Sequence, residues 1–131
     1  MASRRWWLCG PPVVFALVDY SFTMSGQLPR YWAGDHGIAL EENPLVFWTM
    51  AQHPYALHVL TFLWIATFGF AILKLSRFLA QAVSLSVTFC HAFGAASWLF
   101  PVAHGYYMQM AICISSAVLF VAAVELSREE A

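Results

Sequence analysis

A chain of 131 residues that is 61% hydrophobic, 17% aromatic and only 10% charged, with mean hydropathy +0.67, departs from the roughly 45–50% apolar and about 25% charged make-up of soluble domains. So few charges cannot cover a water-facing surface, and the surplus apolar surface is expected to face lipid. The net charge of −1 supplies neither a basic face for nucleic acid nor an acidic field that steers ions.

The first apolar run, 8–25, follows Arg4-Arg5-Trp6-Trp7 and opens at Gly10-Pro11-Pro12, where proline at the first helical positions loses no needed donor. A basic start before an apolar run is also the pattern of a secretory or twin-arginine signal. Asp19 interrupts the run and no small-x-small site follows it, so the segment is expected to stay as a first membrane helix. Three scattered cysteines, Cys9, Cys90 and Cys113, form no disulfide framework. Cys90 and Cys113 read as small packing residues, and Cys9 lies near a membrane boundary where lipidation is open to it.

The stretch 26–53 is the one sizeable piece outside the bilayer, too short to build a core of its own, which excludes a soluble catalytic domain. Within it, Asn43-Pro44 is an N-cap and first-turn pair with Glu41 and Glu42 near the helix N-terminus. Pro54, ten residues further on, has to break whatever starts at Pro44. A short interfacial helix over Pro44–Gln52 is therefore expected before the second span. Trp32 and Trp48 should sit among the outer headgroups, and Trp6 and Trp7 among the inner ones.

The remaining runs, 54–74, 78–103 and 106–125, are long enough to cross a hydrocarbon core of roughly 30 Å at about 1.5 Å per residue. Helices are the form that satisfies every backbone polar group in lipid. The connections at 74–77 and 101–105 are short, so neighbouring spans form antiparallel hairpins, and 125–131 reads as a solvated helix end. With four spans, Arg4, Arg5, Lys74, Arg77 and Arg128 fall on one side and Arg30 alone on the other. That asymmetry places both termini in the cytoplasm. The expected fold is all-α, an integral membrane four-helix bundle with a short interfacial helix before the second span.

Ionisable groups inside a span are costly and point to function. Asp19, His58 and His91 qualify, with Thr23 one turn from Asp19 on the same face. Asp19 should lie about 9 Å inside the outer boundary, a depth also open to His58, so an Asp19–His58 pair is expected either as a proton-handling or ligand-binding site or as a hydrogen-bonded strut between helices. His91 sits near the middle of the third span and is expected to be neutral and bonded to a serine, threonine or carbonyl. Bis-histidine haem ligation by His58 and His91 is disfavoured, because their depths differ by about 12 Å. His91, Gly94 and Trp98 share a stripe, and Cys90, Gly94, Ala95, Ala96 and Ser97 make the helix thin there, a device for close helix packing.

At the outer surface Asp35, His36, Glu41, Glu42, His53 and His104 collect. His53, His104 and Glu42 are the candidate metal ligands, although no HxxxH, HExxH or CxxC spacing supports them. No GxSxG, GxGD or phosphate-cradling motif occurs, and paired broken helices of the transporter kind are absent from the pattern. Ser84, Ser86, Thr88, Ser115 and Ser116 read as interhelical hydrogen-bonding groups. The sequence specifies no cofactor.

Asp19-x3-Thr23, Gly26-Gln27, Tyr31-Trp32, Glu42-Asn43-Pro44, His53-Pro54 and His91-x2-Gly94-Ala95-x2-Trp98 occur in that order. This pattern resembles a family of small, uncharacterised bacterial multi-pass proteins, defined as a domain of unknown function, in which an early D…T…G helix precedes an E-N-P helix start. The likeness covers 19–106 and implies a bacterial inner-membrane protein with four helices; it brings no activity with it. The expected role is a scaffold or accessory subunit, acting through lipid and other membrane subunits or self-association. The alternative is a metal-binding, cofactor-binding or proton-handling membrane protein built on the intramembrane Asp and His residues. A small-solute or proton conductor is a third possibility.

Overall fold

The computed structural model describes residues 4–128; the ends of the chain, including the last residues of the expected tail at 125–131, lie outside the described residues. Among these the chain is helical throughout, with no strand. A 3-10 segment, Arg4–Cys9, runs into α1 (Gly10–Ser25). The segment 26–53 holds the single turn α2 (Pro29–Trp32), a 3-10 turn (His36–Ile38) and α3 (Pro44–Gln52). Then come α4 (Ala56–Lys74), α5 (Arg77–Ser97) and α6 (Gly105–Leu126). These last three are long and apolar enough to cross a membrane.

The third apolar run ends earlier than the 78–103 expected. After Ser97 the chain closes a series of tight turns, with Leu99, Phe100 and Val102 N–H groups donating three residues back. Pro101 has no N–H to continue a helix and pushes its predecessor out of the helical region. His104 completes the turn in the left-handed conformation, φ 62°, and α6 starts at once. Asn43 caps α3 as its residue type suggests, its side-chain oxygen accepting from the N–H groups of Leu45 and Val46.

α5 is the spine of the molecule. Its buried positions, Ala80, Ser84, Thr88, Ala92, Ala95 and Ala96, are all small and recur about every four residues, so a neighbouring backbone can approach closely along the whole helix. That neighbour is α1, which runs parallel to α5 at a nearly constant sequence offset. Near one end the Ser84 hydroxyl donates to the Leu8 carbonyl at 2.7 Å across 76 residues. In the middle Asp19 meets His91 across 72 residues. At the other end the Trp98 ring lies directly against Gly26, where a Cβ would collide with it. Of the hydroxyls expected to bridge helices, only Ser84 joins separate segments; Thr88 and Ser116 bond carbonyls of their own helices, and Ser86 and Ser115 are exposed.

The N-terminal half of α1 is closed by a core of Leu8, Ala16, Phe68, Ile72, Ala80 and Ala123. Arg5 reaches across to donate to the Leu75 carbonyl at 2.7 Å, satisfying a free carbonyl at the end of α4. This brings Arg5 to the α4–α5 turn, beside Lys74 and Arg77.

The segment 26–53, expected to be too short for a core of its own, shares one with the helices. Tyr31, Ala39, Met50 and Leu57 are buried together, with Tyr20 and Met24 of α1 and Leu60 of α4 against them. The buried Gln27 side chain clamps the segment, donating to the Thr23 and Leu40 carbonyls and accepting the Leu40 N–H at 2.7 Å. The Tyr31 hydroxyl donates to the Met50 carbonyl. A stretch too short to fold alone is thus fixed as a cap over the ends of α1 and α4.

Candidate functional site: a hydrogen-bonded Asp–His–Trp chain on a capped cavity

α1 and α4 both pack on α5, but they touch each other little. Toward the C-terminal end of α1 they leave between them a half-open cavity of about 470 Å³, with α5 as its floor and residues 41–46 on its far side. Asp19, Tyr20 and Thr23 come from α1, Thr61 and Trp64 from α4, and Cys90, His91, Ser97 and Trp98 from α5 and its end. Glu41 and Asn43 come from the cap.

At the centre of its wall three side chains form a chain. The Trp64 indole N–H donates to His91 Nε2 at 2.9 Å, and His91 Nδ1 lies 2.8 Å from Asp19 Oδ2. An indole nitrogen only donates, so Nε2 is an acceptor and bears no hydrogen. The proton of the neutral imidazole is therefore on Nδ1 and is donated to the Asp19 carboxyl. A second proton on the ring would set two N–H groups face to face. Trp64 thereby fixes the tautomer of His91.

This arrangement restricts the chemistry. An Asp–His pair serves a nucleophile when the far ring nitrogen is free to take the proton of a hydroxyl or thiol; here that nitrogen is engaged by Trp64. With both ring nitrogens engaged, neither is presented to a haem iron. What remains open is Asp19 Oδ1. It makes no hydrogen bond among the described residues, and it is not among the enclosed atoms. Gly94 makes room for the carboxylate: a Cβ there would lie 2.8 Å from Oδ1. The thin stretch of α5 is where an acidic side chain of α1 enters.

Glu41 is the second acid on the cavity. Burial raises its carboxyl above the ordinary range, the Asn43 N–H that it accepts at 2.8 Å pulls it back, and the charge of Asp19 pushes it up again. No lysine or arginine among the described residues lines the cavity.

The other expected site residues lie elsewhere. His58 does not pair with Asp19; its ring stands edge-on to Tyr20 and Tyr55 at 5.3 and 5.4 Å, and its Nδ1 is enclosed without a partner. The hydrogen bonds of His91 go to Asp19 and Trp64, not to a hydroxyl or carbonyl. His53 accepts the Tyr55 N–H, while His104 and Glu42 are exposed. Among the described residues no three His, Cys, Asp or Glu side chains converge to hold a metal, so His53, His104 and Glu42 are not gathered into a site. Gly94 lies against Asp19 of α1 and Trp98 against Gly26 at its end, and Ala95 is buried. Trp64 and Glu41 were missed as site residues. A signal for Trp64 existed, since it stands eight residues inside an apolar span, away from the headgroup level where tryptophan is favoured.

No protein-family model, curated protein or solved structure matches the chain.

Proposed function

We propose that the chain is a bacterial inner-membrane protein of four spans, both ends cytoplasmic, that binds a small molecule in the cavity beside Asp19. α1 alone measures about 24 Å at the helical rise, and the 3-10 segment before it adds about 12 Å, together enough for a hydrocarbon core. The Arg5 contact with Leu75 gathers Arg5, Lys74 and Arg77 at one end of the bundle, in keeping with the positive-inside pattern. The resemblance to small bacterial multi-pass proteins belongs to this same reading.

The observation that carries the binding role is the unpartnered Asp19 Oδ1 on a cavity of about 470 Å³. That volume is within the range of small-molecule sites, and a few polar groups on an apolar wall are their usual make-up. Cys90 lines the cavity, whereas Cys113 does not, and this supplies the test. In cells carrying Cys90 as the sole cysteine, a small membrane-impermeant thiol reagent added from outside should modify it. The chain with Cys113 alone should resist. A Cys90 that reacts only after denaturation overturns the reading.

A second role, as an accessory subunit or a self-associating scaffold, is favoured by α6. Only Gly105, Ser116 and Ala123 of that helix are buried, and Leu85, Phe89 and Phe93 of α5 line a groove beside it. Native mass spectrometry from nanodiscs should then find assemblies; a monomer at every protein concentration rejects it.

A further inference from the structure

Resting on the binding role just proposed, we infer that the cavity takes an organic ammonium ion, its charged head at Asp19 Oδ1 between aromatic side chains and its apolar remainder under the cap. The inference starts from a charge that the protein leaves unbalanced. Asp19 receives one N–H, from His91, whose other ring nitrogen accepts the Trp64 indole N–H, so the carboxylate has no lysine or arginine partner among the described residues. The other acid on the wall, Glu41, brings no compensation, and no lysine or arginine stands among the described lining residues. A carboxylate held between helices with one neutral donor is expensive in a membrane. A ligand that carries the missing positive charge removes that cost.

The walls indicate what kind of cation. Tyr20, Trp64 and Trp98 line the same cavity as the carboxylate, and aromatic faces attract cations of low charge density, above all alkylammonium groups. Inorganic cations fit poorly. Calcium takes six to eight oxygen ligands and magnesium a tight octahedron, whereas no metal-holding group forms here among the described residues. A cavity of about 470 Å³ is also far larger than a bare ion. The apolar side chains of Leu45, Val46, Leu57 and Leu60 continue the cavity beneath the cap and suit a short hydrocarbon body. An anionic ligand would meet two carboxyls.

Cys90, next to His91 in sequence and on the same wall, reports the charge preference directly. The full chain with Cys90 as sole cysteine is treated in proteoliposomes with two methanethiosulfonates of similar size, one bearing trimethylammonium and one bearing sulfonate. Rates are divided by those of a free thiol. The cationic reagent should be favoured by on the order of tenfold, the lower end of what a charged cleft does to local ion concentration. Asp19→Asn should bring the ratio close to one. n-Butylammonium should slow the modification saturably and its neutral isostere n-pentane should not, a comparison that needs no substitution at Asp19 and stands even where Asp19→Asn fails to fold. A Cys90 that reacts without charge preference, or is protected equally by the neutral compound, overturns the ammonium assignment and leaves the cavity role intact. A Cys90 that reacts with neither reagent overturns both.

Discussion

The two ends of the α1–α5 pair are built from the same helices and do opposite things. At the N-terminal end Leu8 and Ser84 are wholly enclosed, Ala16 and Ala80 fill the gap between backbones, and Phe68 and Ile72 of α4 close the side. At the other end α4 moves away, and acids, aromatics and hydroxyls line the space that opens. The difference comes from what separates α1 from α4. The 3-10 segment fills the wedge between helices at the closed end, while at the open end only the cap spans it. Close packing and a polar cavity therefore coexist along one pair of helices, each confined to half of its length.

The largest effect is expected from putting the same bulk into both halves. Ser84→Leu puts three carbons where one hydroxyl oxygen now lies, in a fully buried site, and removes the bond to the Leu8 carbonyl. It should cost about 1–3 kcal/mol for overpacking and about 1 kcal/mol for the lost hydrogen bond, seen as a lower thermal midpoint and aggregation in detergent. Ser97→Leu, on the exposed rim of the cavity, should leave the midpoint nearly unchanged. Equal losses at the two positions would mean that the halves do not differ.

A smaller effect is expected at the His91 chain. Trp64→Phe removes one hydrogen bond, worth about 1 kcal/mol, and uncovers His91 Nε2. Diethyl pyrocarbonate attacks an unprotonated, accessible imidazole nitrogen, so peptide mass analysis should show His91 modified in the variant and protected in the parent. Equal modification in both would break the Asp–His–Trp chain as described.

The smallest effect concerns pH and belongs to the cap. Glu41 titrates higher in the folded chain than its ordinary value of 4.5, chiefly because it is buried. Between that value and its raised one the folded protein holds a proton that the unfolded chain has released, so stability falls as pH rises through the window. The acids facing Glu41 are Asp19 from α1 and Glu42 beside it, with His91 of α5 on the same cavity. Thermal midpoints should rise as the pH is lowered toward 4.5, and Glu41→Gln should flatten that slope. A slope unchanged by the substitution assigns the effect to another group.

The helices and the short α3 were legible from apolar runs and from Asn43-Pro44 and Pro54, because those signals are local. The pairing of Asp19 with His91 was not, and the reason can be traced. Running the third span to 103 rather than ending it at Ser97 sets His91 six residues too deep, about 9 Å at the helical rise. With α5 ending at Ser97, Asp19 and His91 each lie six residues from their helix ends, level with each other. The cap core was invisible for a different reason. Tyr31, Ala39 and Met50 are buried by helix ends distant in sequence, which no local pattern displays.

Fastening α1 to α5 at bottom, middle and top makes the two a single beam. One residue inserted into α1 between Leu8 and Asp19 would swing all that follows by about 100°, turning the carboxylate out of its slot opposite Gly94, and no sliding could restore it while both ends are held. A designer grafting this site onto another scaffold has to carry over the beam whole, for the spacing between its fastenings is as much a part of the site as the side chains.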